Sequence, residues 1–188
     1  MKCPSCASPL TEAVERCPQC KLSISRLDMK FGLIPAHSRF LTDRSGTLPL
    51  EDMEQLRAAL RLFQKKFPQT LFSILIVELA PGTSVPEYAF WLANRARFGS
   101  AEKRFSDNYN VLLLIDLNSR TAAVTVGYGL EGYVAERDLQ QVLNDFAAGI
   151  RDGGLTNGLR LCIESLTQRL RQLSTQAKAA PATAAVPA

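Results

Sequence analysis

Four cysteines fall within the first twenty residues of this chain: Cys3, Cys6, Cys17 and Cys20. They form two C-x-x-C pairs, and each pair carries a proline after its first cysteine, in Cys3-Pro4-Ser5-Cys6 and Cys17-Pro18-Gln19-Cys20. Two residues between cysteines let one tight turn aim both sulfurs at a single point. Two such turns supply the four thiolates of a tetrahedral zinc site. The stretch between the pairs, Ala7 to Arg16, is long enough for a short hairpin. The spacing predicts a zinc ribbon over residues 1–24, with Cys3, Cys6, Cys17 and Cys20 as ligands of a closed structural site. A single C-x-x-C also reads as a disulfide or a redox pair. Duplication with proline at the same place in both copies favours metal. Thiolate ligands must be deprotonated, so folding of this segment is expected to depend on metal and on pH.

The remaining reactive side chains offer less. His37 is the only histidine, lies 17 residues beyond Cys20, and is not needed as a ligand. No nucleophile elbow or Ser-His-Asp set accompanies it. Cys162 stands in an apolar helical pattern, Leu159-Leu161-Cys162-Leu166, and reads as a buried inert thiol. Gly127, Gly129 and Gly132 fit G-x-G-x-x-G, the dinucleotide fingerprint. The strand before them is the second arm of a hairpin, no further strand completes a βαβ unit, and Glu131 would repel a pyrophosphate. They read as turn glycines.

The elements that must position these groups follow from the apolar pattern. Pro49 to Phe67 is a helix, with Met53, Leu56, Leu60 and Phe63 at helical spacing and Glu51 and Asp52 in its first turn. Leu71 to Leu79 is nearly continuously apolar and predicts a strand buried on both faces. Pro86 to Phe98 is a helix with Gly99 as its C-cap. Val111 to Leu117 and Thr121 to Val126 are strands joined by a connection that permits only an antiparallel pair. Glu136 to Ile150 and Leu155 to Leu173 are helices separated by Asp152-Gly153-Gly154. Thr42 to Thr47 reads as a turn, and Phe31, Leu33 and Ile34 as a short first strand or as cover for the body. Strands flanked by helices predict a three-layer α/β/α sandwich with a mixed sheet, preceded by the ribbon. The expected divisions are the ribbon at 1–24, a connector at 25–37, the α/β/α domain at 38–173, and a disordered Ala/Pro tail at 174–188. Deleting residues 1–24 is expected to leave a folded body.

Composition bounds the setting. The chain has 188 residues, 46% hydrophobic and 21% charged, with a net charge of +4. That suits a globular protein and is no nucleic-acid signature. Within the ribbon, Lys2, Arg16 and Lys21 oppose Glu12 and Glu15, so nucleic acid is not the expected partner. The start Met1-Lys2-Cys3-Pro4 carries no apolar leader, and no run reaches transmembrane length. Reduced thiols with zinc favour a reducing compartment, so a cytoplasmic protein is expected.

The order of these pieces resembles the TPM domain family of thylakoid-lumen and bacterial proteins. The resemblance covers about residues 33–170. It rests on Asp43-x-x-Gly46-x-Leu48 before a helix, on Phe98-Gly99, on Val111-Leu112-Leu113-Leu114, and above all on Val126-Gly127-Tyr128-Gly129-Leu130-Glu131-Gly132. It implies an α/β/α sandwich, with calcium binding in some members and acid phosphatase activity ascribed to others. The Asp-Asn-Gly that family members carry before the Leu-rich strand is Asn108-Tyr109-Asn110 here, with Asp107 one place early, and Leu-Thr-Asp is Val134-Ala135-Glu136. Asp43, Asp107, Glu131 and Glu136 are therefore the candidate donors for a weak calcium ion, which needs six to eight oxygens. The other reading of Glu131 and Glu136 is as ordinary acids of a turn and a helix N-terminus. Two functions follow. One is a non-catalytic binding or scaffold protein with a protein partner. The other is a phosphatase acting on phosphomonoesters through bound metal and water.

Overall fold

The computed structural model describes residues 2–11, 14–96, 98 and 107–179. The expected C-cap at Gly99, the side chain of Asp107 and residues 180–188 lie outside the described part. The body is a four-stranded sheet in the order β1 (Leu41–Asp43), β2 (Leu71–Val77), β3 (Asn110–Asp116) and β4 (Thr121–Val126). The first three strands are parallel and β4 returns antiparallel to β3, so the sheet is mixed.

Helices cover both faces. α2 (Leu50–Lys66) and α5 (Glu136–Ala179) pack on one, against Phe72, Ile74, Ile76, Val111, Leu113 and Ile115. α1 (Ile24–Phe31) and α3 (Val85–Arg95) pack on the other, against Leu71, Leu75, Val77, Leu112 and Leu114. Alternate residues of one strand thus feed opposite cores, as the pleat requires. β2 and β3 are buried along their full length, which is why their sequences are almost unbroken apolar runs.

α5 is broken where the sequence predicts, at Gly153 and Gly154, whose backbone is not helical; Gly154 has φ 78°. The two arms fold back on one another. Gly149 approaches Gly158 closely, the Ser165 hydroxyl donates to Asp145 at 2.6 Å, and Arg169 pairs with Asp138. Asn157 Nδ2 donates to the Gly149 carbonyl at 3.0 Å and caps the first arm.

The structure corrects five local expectations. The connector holds a helix, α1, capped by Ser23, whose hydroxyl accepts from the Arg26 N–H at 3.3 Å. Leu27 is its buried residue, and Phe31 stacks edge-on to Tyr88 at 4.9 Å. Leu33 is 93% exposed and belongs to no strand. Thr42 and Asp43 end β1, so the turn begins two residues later than expected, at Arg44. The last helix runs to Ala179, six residues past Leu173. Gly127 to Gly132 is no open turn: Tyr128–Glu131 is one turn of helix, α4.

The ribbon meets the body without a linker. Arg16 and Ser23 form the last bridge of the ribbon, and Ser23 is already the cap of α1. Ile24 and Leu22 pack with the body's second core. A deletion of 1–24 therefore removes a helix cap, and the clean cut lies before Leu22. A chain lacking residues 1–21 is expected to keep one cooperative thermal transition, because the buried residues of the ribbon's own cluster, Cys3, Leu10 and Cys17, belong to neither core, and Leu22, which packs against both that cluster and the second core, is retained. Loss of that transition would show that the body needs the ribbon to fold.

Candidate metal centre and adjoining cleft

The four cysteines converge. Their sulfurs all lie within 4.8 Å of one another. Cys3 Sγ is 3.6 Å from Cys20 Sγ, and Cys6 Sγ is 3.6 Å from Cys17 Sγ. None is in a disulfide. Two copies of one backbone device hold them. In the first, the Ala7 N–H donates to Cys3 O at 2.9 Å and the Cys3 N–H to Ser8 O at 2.8 Å. In the second, the Lys21 N–H donates to Cys17 O at 2.9 Å and the Cys17 N–H to Leu22 O at 2.8 Å. Each turn closes on a residue in the left-handed region, Ala7 at φ 59° and Lys21 at φ 60°. Outer bridges Lys2–Pro9 and Arg16–Ser23 complete two short hairpins. The environments differ, since burial pushes the Cys3 thiol up to about 12, whereas the Ser8 hydroxyl and N–H bring Cys6 down to about 6. Four sulfurs so placed can hold one metal ion, with no ligand needed from His37, whose Nδ1 lies 3.0 Å from the Pro35 carbonyl.

The candidate oxygen donors do not form one group. Asp43 ends β1 in the row Asp43–Ile76–Ile115–Ala122. Glu131 follows Val126, which is level with Val111. Four residues of strand, about 13 Å, separate those rows. Asp107 begins the 3-10 turn Asp107–Tyr109 at the Val111 end. Asp43 is moreover committed to its own loop. Its Oδ1 accepts from the Ser45 N–H at 2.9 Å, the Ser45 hydroxyl at 2.5 Å and the Gly46 N–H at 3.1 Å, and its Oδ2 from the Leu48 N–H at 2.8 Å. Burial pushes its pKa up, but these donors outweigh it and hold the carboxyl below its usual range. Among the described residues, the cysteines are the one group of three or more metal-capable side chains drawn together.

Two carboxylates that the sequence reading did not single out are built into the fold. Asp116 ends β3 and accepts from the Leu79 N–H at 2.9 Å and the Ser119 hydroxyl at 2.5 Å, tying the loop after β2 to the β3–β4 hairpin. Asp138 is 3% exposed, accepts from the Ala135 N–H at 3.0 Å and pairs with Arg169. Its place three residues after Ala135 is the signal that would have found it, an acid returning to the start of its own helix. Gly129 is a glycine for space. A Cβ there would sit 2.9 Å from the Asn108 carbonyl and the Tyr109 ring. Gly127 and Gly132 have ordinary φ of −69°.

The ribbon leans on the body through Lys2 and Glu136, 2.6 Å apart. Between them runs a cleft of about 650 Å³, bounded by Pro4 and Pro9 of the ribbon, Phe90 of α3, Val124 of β4, and Glu131 and Leu139.

No curated protein matches the chain. Solved structures do, and they share its fold. The N-terminal domain of a P. gingivalis protein, solved by NMR, aligns with a TM-score of 0.60 at 24% identity, covering 72% of this chain and 83% of that one. The BA42 protein of the psychrophilic bacterium Bizionia argentinensis aligns with a TM-score of 0.57 at 15% identity, covering 69% and 86%. The N-terminal domain of a Corynebacterium glutamicum protein aligns with a TM-score of 0.52 at 10% identity, covering 82% and 91%. The TPM domain family model matches residues 41–169, the span from β1 to the residue that closes the helical hairpin, and the chain belongs to the TPM domain family.

Proposed function

We propose that this chain is a non-catalytic binding protein in which a zinc-loaded ribbon and the TPM domain present one surface to a protein partner. The observation that carries the reading is the seat of the ribbon on the body, which leaves a largely apolar cleft between the two. Zinc fits the donor set. Thiolate–zinc bonds of about 2.3 Å place tetrahedral sulfurs about 3.8 Å apart, close to the 3.6 Å pairs found here. Cys3, Cys6, Cys17 and Cys20 would fill all four positions. The ion then supplies cohesion and leaves no position for an activated water. Reduced thiols suit a cytoplasmic setting. Among the described residues no helix is long and apolar enough to cross a membrane.

The alternative is a phosphatase acting on phosphomonoesters through bound metal, favoured by Glu131 and Glu136 lining the same cleft. A hard cation with two or three carboxylates binds at about 0.1 mM or weaker. The full chain, assayed on p-nitrophenyl phosphate with magnesium or calcium, is expected to show no turnover, and calorimetry with calcium at most a weak site. Robust turnover abolished by Glu131→Gln would establish the enzyme and sink the binding reading.

A further inference from the structure

The sheet has two outer edges, and they are treated differently. β1 is three residues long. Its outward carbonyl, Leu41 O, accepts from the Ser38 hydroxyl at 2.6 Å and from Arg57 Nη2 at 3.3 Å. That edge is short and closed by side chains, as exposed edges usually are. β4 is six residues long, Thr121-Ala122-Ala123-Val124-Thr125-Val126, with no charge and no proline.

The ladder fixes which of its backbone groups are spoken for. Gly127 N–H donates to Asn110 O at 2.8 Å, and the register pairs Leu112 with Thr125, Leu114 with Ala123 and Asp116 with Thr121. Hydrogen-bonded pairs alternate along an antiparallel ladder. Thr121, Ala123 and Thr125 therefore turn their N–H and C=O groups toward β3, and Ala122, Val124 and Val126 turn theirs outward. Among the described residues nothing caps those outward groups.

This edge is not left in open water. It lies along the cleft beside the ribbon. Pro4, Pro9 and Pro86 line the cleft and bring no N–H of their own, so a segment lying there finds its backbone partners on β4. Of the charged groups that line it, Lys2 and Glu136 are paired with each other, and Glu131 is engaged within the chain. A charged side chain would enter without a partner, at a cost. The room is that of one strand. A strand rises about 3.3 Å per residue, lies about 4.8 Å from its neighbour and spans about 10 Å between layers. Each residue then takes about 160 Å³, and the cleft of about 650 Å³ takes about four.

We propose that the outer edge of β4 is a docking site for an extended, uncharged, proline-free segment of a partner protein, which adds there as a fifth strand between the sheet and the ribbon. Backbone hydrogen bonds to Ala122, Val124 and Val126 supply affinity, and the apolar walls select small and β-branched side chains. The inference rests on the binding reading and names its surface and the class of its partner.

The test uses the full, zinc-loaded chain and the peptide acetyl-Gly-Thr-Val-Thr-Val-Thr-Gly-amide, titrated by NMR. Saturable binding in the micromolar to submillimolar range is expected. Val124→Pro removes the central outward donor and sets a ring on the edge, while the β3–β4 ladder keeps its bonds. It is expected to stay folded and to bind at least tenfold more weakly, whereas Val124→Thr, which keeps the N–H at the same place, loses less than threefold. If Val124→Pro fails to fold, a probe N-methylated at alternate residues must show the same loss on the parent chain. Undiminished binding by folded Val124→Pro or by the N-methylated probe overturns the proposal. So does absence of binding at millimolar peptide, or a dimer in sedimentation that Val124→Pro abolishes. Tenfold tighter binding after removal of residues 180–188 would assign the edge to the chain's own tail, and also overturns it. Phosphatase turnover, by contrast, would remove the binding reading without changing any of these peptide results.

Discussion

Cys17→Ser is expected to strip the metal from the purified protein. The parent should carry about one zinc per chain, and the variant far less than one. The effect is large because metal binding and folding of the ribbon are one event. Structural zinc is worth about 10–16 kcal/mol in small finger peptides. Against that, the ribbon's apolar cluster is only Cys3, Leu10 and Cys17, with Cys20 and Leu22 partly buried beside it. A segment of this size has no core able to replace the ion. The left-handed turns at Ala7 and Lys21 cost energy in non-glycine residues, and in the variant nothing repays it. Metal analysis together with amide spectra should therefore show residues 2–21 losing their structure while the sheet keeps its dispersion. Retention of full zinc by Cys17→Ser would refute the site.

Gly149→Ala is expected to destabilise the body, because Gly149 is buried where the two arms of α5 meet. The added Cβ would lie 2.7 Å from Gly158 Cα, 2.9 Å from Asn157 O and 3.0 Å from Gly158 N. All three are backbone atoms, so no rotamer change relieves the contact. The arms must part, and parting disturbs the Ser165–Asp145 bond at 2.6 Å and the Arg169–Asp138 pair, as well as the packing of Phe146 and Leu159 in the first core. Overpacking costs about 1–3 kcal/mol and occasionally more; a loss at the upper end is expected, read as the shift of a urea midpoint. Alanine is the better helix former, so an unchanged or raised midpoint would show that the arms do not cross as closely as this.

The parts of the fold that were legible in the sequence are those whose determinants are local. β2 and β3 announce themselves as unbroken apolar runs, and the break in α5 as Gly153-Gly154. The metal centre is legible for the same reason, since each C-x-x-C builds half of it within one turn. α1 had its signals, Ser23 as cap, apolar residues at Ile24, Leu27 and Phe31, and Gly32 after the end, but eight residues between two better-marked segments read as a connector. β1 was missed because three residues make no periodicity. That Asp43 stands apart from Glu131 and Glu136 could not be read at all. It depends on strand direction: β4 runs back along β3 and returns the chain to the end of the sheet opposite Asp43. Close approach of Gly149 to Gly158 is likewise a property of two helices meeting, visible only once both are placed.

Ser23 serves the ribbon and the body at once, as the last residue of a hairpin bridge and the first of a helix cap. No freely rotating bond pair lies between the two units. A metal-loaded chain is therefore expected to tumble as one object, with the ribbon sharing the rotational frame of the sheet. Removing the ion changes the mechanical character of the first twenty residues and not only their shape: a stiff bracket becomes a tether, and whatever the bracket held at a fixed angle to the sheet is then held only by the length of the chain.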